Sequence, residues 1–144
     1  MLLLAFSCDR DIGIDVEHTR TICDEQVIAK QFFAPREKAV LQGLLPQQRQ
    51  RAFFHCWTRK EAYIKALGGG LSIALDSFEV TLLPNEPAQL LKVAGHTVKA
   101  SDWSMADLDI HPDYVAALAV KSPQPQIYSW TAPIETEIVN HSND

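Results

Sequence analysis

Five side chains combine residue types and spacings that could do chemistry: Asp15, Glu17, Lys60, Glu61 and Lys65. Asp15 and Glu17 are two apart in Ile12-Gly13-Ile14-Asp15-Val16-Glu17, where Ile12, Ile14 and Val16 alternate with the acids. On a strand that spacing points both carboxylates the same way, about 6.6 Å apart at the backbone. Taken alone, such a pair reads as a solvent-facing strand edge. Glu61 and Lys65 are four apart, so on a helix they sit one above the other, about 6 Å along the axis. The ordinary outcome of that spacing is an exposed ion pair worth about 0.2–0.5 kcal/mol.

The surroundings change the reading. Arg49, Arg51, Arg59, Lys60 and Lys65 place five of the 13 basic residues within 17 positions whose only acid is Glu61. A solvated helix in a chain of net charge −5 ordinarily mixes its signs, so this stretch reads as built to meet an anion. Asp15, Glu17 and Glu61 drawn to one point would suit a hard divalent cation such as Mg²⁺, which takes oxygen ligands and bridges phosphates. A metal-bridged diphosphate flanked by Lys60 and Lys65 is a phosphoryl-transfer arrangement.

These residues need elements to position them. A long central helix is expected from about Gln47 to Leu67: Ala62 and Ala66 favour it, and no proline falls between Pro46 and Pro84. Phe53, Phe54, Trp57, Ile64 and Leu67 can line one face, and Gly68 closes it. Before it come strands at Leu2–Phe6 and Asp11–Val16, a helical rhythm over 21–33, and a short helix around Glu37–Leu44 that Pro46 must end. After it come strands at Ser77–Leu83, Leu90–Val93, Thr97–Trp103 and Tyr114–Val120, with Ile127–Thr131 as an added edge strand. No gap can hold a crossover helix, so the strands are antiparallel. The fold class is α+β, an antiparallel sheet packed against the long helix. Residues 1–122 form the domain, and 123–144 an edge strand and flexible tail.

A chain of 144 residues, 47% hydrophobic and 22% charged, has the composition of one globular domain. The apolar run Met1–Phe6 is too short for a membrane span and lacks a basic leader. Cys8, Cys23 and Cys56 are widely spaced, which argues against a zinc site or disulfide framework and for a reducing cytoplasm. His18, His55, His96, His111 and His141 show no metal-ligand spacing. Glu135, Glu137 and Asp144 make the tail acidic, and nothing in the charge suggests nucleic acid.

Three stretches together resemble the 4′-phosphopantetheinyl transferase superfamily. They are Ile12-Gly13-Ile14-Asp15-Val16-Glu17, Trp57-Thr58-Arg59-Lys60-Glu61-Ala62-Tyr63-Ile64-Lys65-Ala66 and Gly68-Gly69-Gly70-Leu71. Phe32-Phe33, Leu75-Asp76-Ser77-Phe78 and the Tyr114–Val120 segment are similar too, and the closer likeness is to the long, surfactin-synthetase-activating type. The resemblance implies transfer of the phosphopantetheine arm of coenzyme A to a serine of an acyl or peptidyl carrier protein, releasing adenosine 3′,5′-bisphosphate. It implies Asp15, Glu17 and Glu61 as Mg²⁺ ligands and Glu61 as general base. It implies Lys65 as the residue that neutralises the diphosphate and protonates the leaving group, and Lys60 as a basic contact to coenzyme A. Gly68 and Gly70 match family glycines.

The resemblance extends only to the second half of the long type, whose site lies between two similar halves. A basic, coenzyme-A-gripping surface and a Ser-His-Ser-like segment, both expected from the first half, are not seen in the sequence. Three readings follow: a catalyst whose copies pair to rebuild the cleft, a remnant that keeps the fold without holding coenzyme A alone, and a non-catalytic module that binds carrier proteins or a separate first-half partner.

Overall fold

Proline and glycine bound the longest element, Pro46–Leu67. Pro46 sits in the first turn, where its missing N–H costs nothing, and Gly68 closes the helix at φ 69°. The computed structural model describes residues 1–21, 24–95 and 99–132. In chain order the elements are β1 (Ile12–His18), α1 (Glu25–Phe32), α2 (Pro35–Gly43), α3 (Pro46–Leu67), β2 (Phe78–Val80), β3 (Leu90–Val93), β4 (Ser104–Asp107) and β5 (Tyr114–Val120). At 22 residues, α3 is about 33 Å long.

Among the described residues the strands form not one sheet but two. Three pair antiparallel in the order β1-β5-β4, while β2 and β3 make a separate antiparallel pair. β5 is buried along nearly its whole length because strands flank it on both sides and α3 covers one face. The helix-facing row of β1 and β5 is small. Gly13 pairs with Ala119 and Asp15 with Ala117, and both alanines are fully buried. A Cβ on Gly13 would lie 2.1 Å from the Ala62 carbonyl oxygen and 2.4 Å from the Ala66 nitrogen. Only glycine lets the strand backbone approach the helix so closely. The acids of β1 therefore share the side that meets α3, and the Ile12, Ile14 and Val16 row is only half-buried. That is the reverse of a solvent-facing acidic edge.

On the other side of α3, Tyr63 packs edge-on against Phe78 and Trp103, with ring centroids 4.9 Å apart in both cases. Farther along the helix, Phe53 stacks on Phe33 at 5.4 Å. Phe53, Phe54 and Ile64 are buried as expected, whereas Trp57 is half-buried and Leu67 is 37% exposed.

Three expected strands are corrected. Leu2–Phe6 keeps a strand's alternation, with Leu3 and Ala5 half-buried and Leu2, Leu4 and Phe6 exposed, but it makes no ladder with β1. The Thr97–Trp103 strand lies partly outside the described residues. Its remainder is a 3₁₀ turn at Ala100–Asp102, and the strand begins at Ser104, where pairing with β5 begins. Ile127–Thr131 forms no strand and pairs with neither sheet, and most of the expected 123–144 tail lies outside the described residues. Among the described residues, no helix is long and apolar enough to cross a membrane.

Candidate active site at the open edge of the sheet

Because β1 is an edge strand, residues of α3 that lean past it meet solvent. The close approach at Gly13 sets the spacing there. Two residues further along β1, Asp15 Oδ1 accepts a 2.7 Å hydrogen bond from Lys65 Nζ. Asp15 is buried and its second carboxylate oxygen, Oδ2, has no partner among the described residues. The Lys65 side chain is half exposed. Met1, Leu2 and Leu3 join Ile14, Asp15, Val16 and Lys65 around a cleft of about 210 Å³.

Glu17 and Glu61 complete the constellation. Burial and then the Asp15 charge push the Glu61 pKa up, Glu17 adds to the rise, and only Lys65 opposes it. Glu17 is raised in the same way, by burial first and Asp15 next, with Arg20, the Trp57 indole and Lys65 pulling it back. Asp15 acts on both glutamates, Glu17 acts on Glu61, and Lys65 opposes the rise at each, so both glutamates lie within electrostatic reach of the Asp15–Lys65 pair. Lys65 pairs directly with Asp15 alone and Arg20 acts on Glu17, so three acids face two cations, a local deficit of positive charge.

That deficit bears on the expected Mg²⁺. All-oxygen donors, an orphaned buried carboxylate oxygen and two glutamates of raised pKa fit a hard divalent ion. As placed, however, Lys65 holds Asp15, and among the described residues no three His, Cys, Asp or Glu side chains are gathered closely enough to hold one ion. The fit is one of charge and donor type.

Lys60 is the correction. It was expected to contact coenzyme A, yet it is fully buried on the opposite side of α3 from Lys65. Its ammonium pairs with Glu37 Oε2 at 2.9 Å and donates to the carbonyls of Leu75 and Phe78, each at 2.7 Å. An ammonium has three protons, and all three are used. The basic run is therefore largely structural. Arg59, also fully buried, grips Asp107 through Nε at 3.0 Å and Nη2 at 2.6 Å, and donates to Thr81 Oγ1 and the Glu86 carbonyl. Arg49 donates to the Leu44 carbonyl. Gly68 and Gly70 both have positive φ, at 69° and 53°, so helix termination and a tight turn account for them.

Glu37 and Gly13 carry roles that residue type alone did not single out. Glu37 is fully buried and accepts from the Ala34 and Val80 N–H groups as well as from Lys60. A glycine interrupting an apolar strand pattern was the available signal for Gly13. Nothing comparable marked Glu37, whose distant partners, Val80 and Lys60, come from β2 and α3.

Residues 11–119 match the 4′-phosphopantetheinyl transferase superfamily. The chain is 42% identical over 120 residues to the 4′-phosphopantetheinyl transferase HetI of Nostoc sp., covering 83% of this chain and 47% of that protein. It is 36% identical over 110 residues to the 4′-phosphopantetheinyl transferase Sfp of Bacillus subtilis, covering 72% and 48%. The chain thus spans about half the length of these curated relatives. Among solved structures it resembles the holo-[acyl-carrier-protein] synthase of Thermotoga maritima, with TM-score 0.59, 22% identity and coverage of 79% and 64%. It also resembles the Bacillus anthracis holo-(acyl-carrier-protein) synthase in complex with CoA (3′,5′-ADP), with TM-score 0.60, 20% identity and coverage of 76% and 93%. These structural likenesses establish the fold.

Proposed function

Since the chain belongs to the 4′-phosphopantetheinyl transferase superfamily, we propose that it moves 4′-phosphopantetheine from coenzyme A to a serine hydroxyl of an acyl or peptidyl carrier protein. The observation that carries the reading is the meeting of Asp15 on β1 with Lys65 on α3, beside two carboxylates of raised pKa. The CoA complex among the structural relatives supports the same donor.

Asp15, Glu17 and Glu61 would hold Mg²⁺, which supplies charge neutralisation to the diphosphate when bound. Glu61 is ionisable, half-buried and at the open edge, so it accepts the serine proton. The serine oxygen bonds to the phosphorus of the pantetheine-bearing phosphate. The bond from that phosphorus to the bridging oxygen breaks, and adenosine 3′,5′-bisphosphate leaves with the electron pair. Lys65, half-exposed on the same face, steadies the developing charge and returns a proton to the leaving phosphate. Orientation does much of the remaining work, because a serine held in line needs only a proton acceptor.

The chain spans about half of its curated relatives, and its site opens on an unpaired strand edge. A further surface, from a second copy or a complementary first-half chain, is proposed to complete the coenzyme A grip. Free Cys8 and Cys56 suit a reducing, cytoplasmic setting. The test is loading of labelled phosphopantetheine onto an apo carrier protein with Mg²⁺, with the chain alone and with an added first-half polypeptide. Loading in either arm that falls at least about 100-fold in Glu61→Gln, with the fold retained, is expected. No loading in both arms, or full loading by Glu61→Gln, overturns the proposal.

A further inference from the structure

Arg59 and Lys60 directly precede Glu61, and neither cation reaches the open edge. Each instead bonds to a different body. Lys60 ties α3 to α2 through Glu37 and to the segment entering β2 through the Leu75 and Phe78 carbonyls. Its ammonium also lies 4.3 Å from the centroid of the Phe78 ring. Arg59 ties α3 to β4 through a two-pronged contact with Asp107, and to the β2–β3 connection through Thr81 and Glu86.

Helical geometry gives these attachments a consequence. At 3.6 residues per turn, Arg59 and Lys60 point about 100° apart, and the direction midway between them lies about 170° from that midway between Glu61 and Lys65. Two attachments at different azimuths fix a rod's rotation about its own axis, which one attachment cannot do. The packing at Gly13 sets how near β1 comes to α3 through the backbone of Ala62 and Ala66. The rings of Phe53 and Tyr63 add apolar contacts, which the polar attachments of Arg59 and Lys60 supplement with directional ones. We propose that Arg59 and Lys60, with their partners Asp107 and Glu37, are positioning residues that hold the rotation of α3 so that Glu61 and Lys65 face the β1 acids.

The role deepens the proposed transferase reading and rests on it for its catalytic consequence. It differs from a coenzyme A contact by Lys60 and from plain structural support.

The experiment uses Glu37→Gln/Lys60→Met, which removes both buried charges together, and Asp107→Asn, which keeps shape at the more exposed attachment should the double variant fail to fold. Folding is followed by circular dichroism, Mn²⁺ binding by calorimetry, and carrier-protein loading by kcat and the coenzyme A KM. The expected result for a folded variant is Mn²⁺ affinity at least fivefold weaker, kcat at least tenfold lower and KM within twofold of the parent. A raised KM with unchanged kcat makes Lys60 a ligand contact and overturns the proposal. So does a folded variant with parental Mn²⁺ affinity and kcat, which leaves only a structural role. If the parent chain loads no carrier, the transferase reading fails separately, and the Mn²⁺ comparison still decides the positioning role.

Discussion

On the α2 and β4 side of α3, each buried charge has its counter-charge; on the β1 side, acids outnumber cations. Lys60 and Lys65 show the contrast within five residues of one helix. The first is fully buried against a fully buried Glu37, and the second is half exposed against Asp15. A saturated buried pair specifies geometry, because removing either partner strands a charge. An under-neutralised, half-open cluster leaves affinity for something brought from outside. The two ends of the comparison serve different links of the same chain of cause: one sets where α3 points, the other does what is done there.

The sharpest way to break this contrast is to delete the two lysines in turn. Lys60→Met leaves Glu37 buried and unpaired and is expected to cost about 3–5 kcal/mol of stability. Lys65→Met takes the hydrogen-bond donor from a buried Asp15 at a half-open edge and is expected to cost less, about 1–3 kcal/mol. Urea denaturation of both variants measures the difference, and equal losses would remove the distinction. Gly13→Ala comes next. Its Cβ meets helix backbone rather than a yielding side-chain end, so a loss of about 1–3 kcal/mol by the same assay is expected.

Titration separates the regions by sign. Burial alone would raise Asp107, but the His55 ring 3.5 Å away and the hydrogen bonds and charge of Arg59 hold it at about 2 against an ordinary 3.8. Its contribution to stability is therefore present above pH 3.8 and lost as pH falls toward about 2. Thermal melts should show Asp107→Asn less stable than the parent at neutral pH, with the gap closing on that acid limb. Glu61 has the opposite sign. Its raised pKa means that the folded chain holds the proton more tightly than the unfolded one, so stability drops as pH rises through the carboxylate range. Without divalent ions, Glu61→Gln should melt higher than the parent at neutral pH and lose that advantage below the carboxylate range. A lower neutral-pH melt for Glu61→Gln would mean that the acids are not crowded.

Much of the scaffold was legible in the chain because its signals are local. Pro46, the alanines and Gly68 delimit α3 to within one residue, and Leu90–Val93 and Tyr114–Val120 are strands over the expected spans. What was not legible depends on partners far away in sequence. Leu2–Phe6 has the alternation of a strand, but a strand also requires a ladder, and no composition reveals whether a neighbour's edge accepts one. Arg59 and Lys60 read as an anion-meeting run because their partners, Asp107 and Glu37, lie 48 and 23 positions away. Asp15 and Lys65 were expected on one site and meet at 2.7 Å, whereas the three acids are not gathered closely enough among the described residues to hold one ion. The direct contact of Lys65 with Asp15 was not legible, because it joins residues 50 positions apart on different elements.

The most direct test is a crystal of the chain with coenzyme A and Mn²⁺, with diffraction measured at the manganese edge. The account predicts one anomalous peak contacting carboxylate oxygens of Asp15, Glu17 and Glu61, with Lys65 turned from Asp15 to the diphosphate. A manganese peak elsewhere, with the Lys65–Asp15 contact intact and the diphosphate remote from both, would contradict it.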